Sequence, residues 1–492
     1  MRQKETLDPD SCYAAVKARD SRFDGRFFVG VRSTGIYCRP ICSARVPKKE
    51  NCVFFVSAAA AERAGYRPCL KCRPELAPAD ALAPVDAAGR LARRAALLME
   101  ENGLADTSLA GLADGLGVTD RHLRRVFFAQ FGVSPLQYLQ NRRLLLAKSL
   151  LTDTALPVTE VAFAAGFGSV RRFNDIFRRF CRLSPSALRK NGGEQDGAQG
   201  GITLLLGYRP PYDWDGILDF LAGRAIAGVE KAEGGKYCRS VGMASGGKNY
   251  CGWLAVENLP KKNCLSVTLA SSLLPLLSKI LSRVRNMFDL DCRPAQVYEQ
   301  LSVLNDLRPG LCKPGCRLPG CIDPFEAAAR AVIGQQITVK AARTLAGRLV
   351  RVYGAKIAAP VAGLTNVFPS PEAIFPVLGP EGEELTAIGL TRAKARAVRA
   401  LAESILTGRL NLSASASPEE AVSLIREMPG FGDWTAEYIA MRALGWTDAF
   451  LPTDLGVRKA FPGLSARQLR RLAEAWRPWR AYAMLNIWQY QQ

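Results

Sequence analysis

The stretch that decides the fold is residues 424–454, LIREMPGFGDWTAEYIAMRALGWTDAFLPTD. Pro429 ends the apolar run before it, and Gly430 and Gly432 permit a tight connection with positive φ, so 428–432 reads as a hairpin between two helices. The second helix begins near Asp433 and sets Ala436, Ile439, Ala440 and Ala443 on one apolar face, its first amides pointing into the hairpin. Such amides suit an anion, for example a DNA phosphate. A proline-glycine turn alone is as often plain packing. Here an apolar approach and then Leu451-Pro452-Thr453-Asp454 follow, a much rarer combination.

This stretch resembles the helix-hairpin-helix DNA glycosylase superfamily, whose catalytic aspartate lies a similar distance after the hairpin. The resemblance implies that Asp454 is the catalytic acid and that Gly430 and Gly432 face DNA. In the lyase-type members a lysine occupies the position of Trp434 and attacks the sugar. Tryptophan cannot form a Schiff base, so the resemblance implies a monofunctional, hydrolytic enzyme acting on a flipped base.

Outward from the hairpin, the chain has 492 residues, too long for one ordinary domain, and 48% hydrophobic content, ample for several cores. Its net charge of +21 favours a polyanionic partner, nucleic acid or an acidic membrane surface. No run of apolar residues is long enough to span a bilayer, and the first ten residues lack a signal-peptide core. A soluble, cytoplasmic, nucleoid-associated protein that binds double-stranded DNA and no membrane is therefore expected. Fourteen cysteines in a reducing compartment point to metal or reactive thiols rather than disulfides. The single histidine, His122, sits among arginines, which removes His-dependent triads and metal sites and leaves carboxylate or thiolate chemistry.

At the amino end, Cys38-Arg39-Pro40-Ile41-Cys42 and Cys69-Leu70-Lys71-Cys72 are two knuckles able to supply four thiolates to one Zn2+. Such a zinc commonly only staples a small domain. The surrounding FFVGVRSTGIYCRPIC and RAGYRPCLKCRPE closely resemble the amino-terminal domain of the Ada alkylation-response proteins, in which a zinc-bound cysteine takes a methyl group from a DNA methylphosphotriester. On that resemblance Cys38 is the acceptor, used once per molecule, and Cys42, Cys69 and Cys72 complete the site. Arg39, Arg45, Arg67 and Arg73 are placed to neutralise phosphates, and Cys12 and Cys52 read as buried apolar thiols.

Between 87 and 190 the pattern is helical, with two similar halves: LAGLADGLGVTDRHLRRVFFAQFGVSPLQYL and VTEVAFAAGFGSVRRFNDIFRRFCRLSPSAL. Each reads as a short helix, a glycine turn (Gly117, Gly168), an N-cap (Thr119, Ser169) and a basic helix. The tandem resembles the AraC-type double helix-turn-helix. It implies that Arg121, Arg124, Arg171 and Arg172 contact successive major grooves of promoter DNA, with RNA polymerase as a further partner.

Ala/Pro-rich and Gly-rich linkers are expected at 78–86 and 191–201. After the second, short strand-like runs precede a helix carrying Leu273, Leu277, Ile280, Leu281, Val284 and Phe288 on one face. This part, with RPPYDW and FDLDC, resembles the amino-terminal domain of the AlkA 3-methyladenine glycosylases. The likeness continues through DPFEAAARAVIGQQITVKAA, FLPTDLG and WRPWRAYAMLNIW to the end. It implies an aromatic lesion pocket of Trp434, Tyr438 and Trp488, and a wedge at Gln336 that fills the gap left by the flipped base. Cys312, Cys316 and Cys321, with Cys292, fall short of a recognised four-ligand spacing.

The expected architecture is a multidomain α+β chain: a four-cysteine zinc domain (1–82), an all-α double helix-turn-helix (83–192), a small α+β domain (201–294) and an all-α helix-hairpin-helix glycosylase domain (295–492). Alkylation sensing, transcriptional activation and excision of alkylated purines such as 3-methyladenine would then share one chain. The rival reading is a transcription regulator whose glycosylase-like half only binds DNA.

Overall fold

The computed structural model describes residues 7–79, 87–102, 108–190, 201–413 and 416–491. The two expected linkers lie largely outside these residues, and so do the junctions at 82 and 192.

At the amino end β1 (Phe28–Val31) pairs antiparallel with β2 (Ile36–Cys38) and β3 (Cys52–Phe55), while β4 (Arg67–Pro68) runs parallel to β2. Tyr37 stands opposite Pro68, so Cys38 at the end of β2 lies beside Cys69, which follows β4. Two neighbouring strands thus bring the two knuckles together.

The helical segment that follows contains two helix-turn-helix units joined by the long helix Pro135–Asp153. Their second helices are Asp120–Phe131, capped by Thr119 accepting from the His122 amide, and Val170–Cys181, capped by Ser169 accepting from the Arg172 amide. Leu123, Val126 and Phe127 are buried on one, Phe173, Phe177 and Phe180 on the other, so the arginines between them face outward. The turns differ in one respect from the sequence reading. Gly117 has φ 70°, but in the second unit Gly166, with φ 85°, takes the left-handed position, not Gly168. The amides of Val118 and Phe167 close equivalent turns onto Ala113 and Ala162, and the second unit then inserts one more residue before its cap.

Residues 201–270 form a five-stranded antiparallel sheet in the order β5 (Gly201–Gly207), β9 (Cys264–Ala270), β8 (Lys248–Leu259), β7 (Lys236–Ser245), β6 (Glu230–Glu233). Leu273, Leu277, Ile280, Leu281, Val284 and Phe288 are all buried against it, the period-3.6 stripe closing one face of the sheet. The same core includes Leu301, Leu304, Leu311, Leu318 and Ile322, so the segment after 294 continues the core of the sheet unit, and Arg442 of the hairpin helix donates to its Pro319 and Gly320 carbonyls. The carboxy-terminal helix Arg480–Tyr490 also joins this core. A second core is built from Pro324–Ile333, Arg392–Leu406, Pro418–Arg426 and the hairpin helix Asp433–Ala443. Tyr438 packs against both cores, which places it in the seam between them.

Candidate active site and methyl-acceptor centre

The hairpin forms as its glycines suggest. Gly430 has φ 86°, the Phe431 amide bonds the Met428 carbonyl, and Gly432 starts the next helix without a capping side chain. Further on, Asp454 is the N-cap of the helix Leu455–Ala460. Its Oδ1 accepts from the amides of Gly456 (2.9 Å) and Val457 (3.3 Å). Two indoles complete the grip: Trp488 Nε1 donates to Oδ1 at 2.9 Å and Trp434 Nε1 to Oδ2 at 3.1 Å. Every one of these partners is a donor and the helix N-terminus adds a positive end, so the site is built around an anion. Gly456 is required by this packing: a Cβ there would lie 2.7 Å from Trp488 Cδ1.

Asp454 opens on a cavity of about 500 Å3 in the seam between the two cores, lined also by Phe220, Trp434, Tyr438, Arg442 and Trp488. The rings form two stacked pairs: Trp434 on Tyr438, with centroids 4.9 Å apart and planes at 8°, and Trp488 on Phe220, at 6.4 Å and 14°. Phe220 also lies beneath Arg224 (3.7 Å) and Arg442 (4.8 Å). Arg442 Nη1 reaches the Tyr438 hydroxyl at 3.1 Å. Burial pushes that hydroxyl up, but Arg442, Arg224 and Arg330 outweigh burial and draw it below the usual phenol value. In the cavity wall, part-buried Arg330 bridges the buried Glu230 (2.8 Å) and Glu326 (2.9 Å) while Arg239 pairs with Glu326, tying the sheet unit to the helix Pro324–Ile333.

The expected pocket residues Trp434, Tyr438 and Trp488 therefore meet at Asp454. Gln336 lies on the exposed turn after Pro324–Ile333, with φ 57°. The sequence reading missed Phe220, Arg224 and Arg442. The first two stand in FLAGRAIAGVE (220–230), where Arg224 lies on Phe220 one turn away, but nothing local marks them as pocket residues, because Trp488, Tyr438 and Arg442 lie more than 200 residues further on.

At the amino end the sulfurs of Cys38, Cys42, Cys69 and Cys72 all lie within 4.8 Å of one another. Zn–S bonds of about 2.3 Å in a tetrahedron put sulfurs about 3.8 Å apart, so the four thiols fit a Zn2+ site. Cys38 and Cys69 are buried, and the Arg39 amide donates to Cys72 Sγ at 3.3 Å. Two arginines expected at phosphates are otherwise engaged. Arg39 is 7% exposed and ion-paired with Asp24, and Arg73 bonds Glu75 and Asp153. Arg45 is exposed, as are Arg121, Arg124, Arg171 and Arg172, though Arg124 pairs with Asp120 one turn earlier. Cys12 is buried, but Cys52, on the edge strand β3, is only half-buried. Among the described residues Cys292, Cys312, Cys316 and Cys321 do not gather into a metal-sized group, and burial pushes their thiols up, Cys292 to about 12. No helix among the described residues is long and apolar enough to cross a membrane.

Four family profiles match in chain order: the metal binding domain of Ada (residues 11–75), a helix-turn-helix domain (112–191), the AlkA N-terminal domain (203–323) and the HhH-GPD superfamily base excision DNA repair protein (329–477). Together with the acid-centred pocket and the four-sulfur cluster, they define a base-excision glycosylase joined to an alkylation-response regulator. The probable bifunctional transcriptional activator/DNA repair enzyme AlkA of Mycobacterium tuberculosis is 36% identical over 490 residues, covering 98% of this chain and 96% of that protein. The chain belongs to this family of bifunctional activator and repair enzymes. Its carboxy-terminal part is 35% identical to DNA-3-methyladenine glycosylase 2 of Escherichia coli over 283 residues (58% of this chain, 95% of that one). Its amino-terminal part is 36% identical to the bifunctional transcriptional activator/DNA repair enzyme Ada of Escherichia coli over 140 residues (28% and 38%).

Proposed function

We propose that the chain senses DNA alkylation by methyl transfer to Cys38, activates transcription through its helix-turn-helix pair, and excises alkylated purines such as 3-methyladenine as a monofunctional, hydrolytic glycosylase. The observation that carries the last part is the fourfold grip on Asp454. It supports a catalytic half over a degenerate DNA-binding one, since a carboxylate fixed at both oxygens beside an aromatic cavity has no use in holding a phosphate.

An N-alkylated purine carries positive charge and leaves readily. The glycosidic C–N bond breaks with its electron pair going to the base, and the positive charge developing on the sugar faces Asp454. Water supplies the new C–O bond and loses a proton. Trp434, Tyr438 and Trp488 stack the extruded base, each worth on the order of 1 to 2 kcal/mol when desolvated. Among the described residues no lysine lines the cavity, and Trp434 stands where a lyase needs an amine. Gly430, Gly432 and Gln336 would hold the duplex around the extruded nucleotide.

In the sensor, zinc would keep the four sulfurs as thiolates at neutral pH. Cys38 sulfur forms a bond to the methyl carbon, the methyl C–O bond breaks, and the electron pair stays on oxygen, leaving an ordinary phosphodiester. The thioether has no route back, so each molecule reacts once. Arg45 steadies neighbouring phosphates, Arg121, Arg124, Arg171 and Arg172 hold promoter DNA, and RNA polymerase is the partner of the activated state in the bacterial nucleoid.

The test is incubation with methylated duplex DNA. Released free 3-methyladenine with no borohydride-trappable protein–DNA adduct is expected; a trapped adduct overturns the monofunctional reading, and no release overturns the glycosylase.

A further inference from the structure

The turn between the helices Pro324–Ile333 and Val339–Tyr353 holds Gln336 in the left-handed region, where a side chain with a Cβ is disfavoured and persists only if its surroundings fix it. Two side chains fix this turn. Lys394 Nζ donates to the Ile333 carbonyl at 2.8 Å, satisfying the last turn of the first helix. Gln335 reaches the other way: its side-chain nitrogen donates to the Gly430 carbonyl in the hairpin and to Thr435 Oγ1 in the first turn of the hairpin helix, both at 2.9 Å. Thr435 is 3% exposed, so water cannot replace that bond. Its chain neighbour is Trp434, one of the two indoles holding Asp454.

We propose that Gln335 is a positioning residue that locks the turn bearing Gln336 to the hairpin and, through Thr435 and Trp434, to the acid. One amide then spans the hairpin that grips the DNA backbone, the turn that enters the helix stack, and the helix that presents the pocket. Base extrusion at Gln336 and alignment of Asp454 become a single event. This rests on the reading of Gln336 as the wedge. A packing role for Gln335 would depend on its shape, whereas this role depends on its two N–H donors.

Gln335→Glu keeps the shape and removes both donors; Gln335→Lys alters the shape and keeps donors of sufficient reach. The full-length zinc-loaded protein is compared with both variants in single-turnover excision of 3-methyladenine at saturating enzyme, where affinity no longer enters. The fluorescence of 2-aminopurine beside the lesion reports extrusion in the same samples. The expected result is Gln335→Glu slower by at least about tenfold with a reduced extrusion signal, and Gln335→Lys within about threefold of wild type. Equal rates for all three proteins, or Gln335→Glu as fast as or faster than Gln335→Lys, overturn the inference. Failure of wild type to release base overturns instead the glycosylase reading on which it stands.

Discussion

Asp454 accepts four hydrogen bonds, two of them from indole rings of the pocket itself, so on the proposed reading the same rings would stack a base and aim the acid. Asp454→Asn must turn an amide nitrogen toward a donor and loses the negative charge. Excision should fall by about a hundredfold to a thousandfold while affinity for undamaged duplex stays within about twofold, measured by single-turnover release and by titration. Trp434→Phe keeps a ring on Tyr438 but removes the Nε1 donor, and about a tenfold loss in rate is expected with little change in KM. A Trp434→Phe enzyme impaired only in KM would show that the indole binds base and does not position the acid. The hairpin is legible in the sequence because its turn chemistry is local, whereas the places of Trp434 and Asp454 beside it come from the family resemblance of the same 31-residue stretch. Phe220, Arg224 and Gln335 are not legible, since each acquires its meaning from a partner about a hundred or more residues away. Arg39 differs for another reason: Asp24, only 15 residues earlier, pairs with it across the small domain and takes it out of solvent.

The two basic helices repeat one design at the level of the element: an oxygen-bearing cap, a buried apolar stripe and arginines on the open side. The repeat was legible because caps and stripes follow periodicity, but the left-handed residue of the second turn was assigned to the wrong glycine. A one-residue difference in loop length changes which glycine needs positive φ, and composition cannot register that shift. The helix Val170–Cys181 keeps Arg171 and Arg172 exposed at its start. Replacing both with alanine should lower promoter affinity and reduce the slope of log K against log salt by about 1.8, near 0.9 for each phosphate no longer neutralised. A change in sequence preference with an unchanged slope would instead assign these arginines to base edges.

Across the whole molecule, the zinc domain is packed between two partners. Arg73 bonds Asp153, and Glu75 pairs with buried Lys148, both on the helix linking the two DNA-binding units. On the other side buried Arg209, just after β5, donates to the backbone carbonyls of Asp24 and Ala79. Asp24 is the residue that pairs with Arg39, next to Cys38. With Cys38 as the proposed acceptor, methylation would occur in a domain whose position relative to the recognition helices is fixed by ion pairs to the linking helix, and the switch need not move it. Electrostatics is enough. A zinc ion with four thiolates carries a net charge of −2, and conversion of one to a thioether leaves −1. Removing one unit of repulsion several ångströms from a phosphate, at a dielectric between those of water and protein, is worth roughly 1 to 3 kcal/mol, or about tenfold to a hundredfold in affinity. The exposed Arg45 can then approach the backbone alongside the helix-turn-helix pair. The protein should be methylated with methylphosphotriester DNA, the adduct located on Cys38 by mass spectrometry, and affinities for promoter DNA compared at two salt concentrations. Tighter binding by about tenfold or more, with the gain shrinking as salt rises, is expected. Equal affinities, a gain indifferent to salt, or an adduct on another cysteine would show that the switch works by some other means.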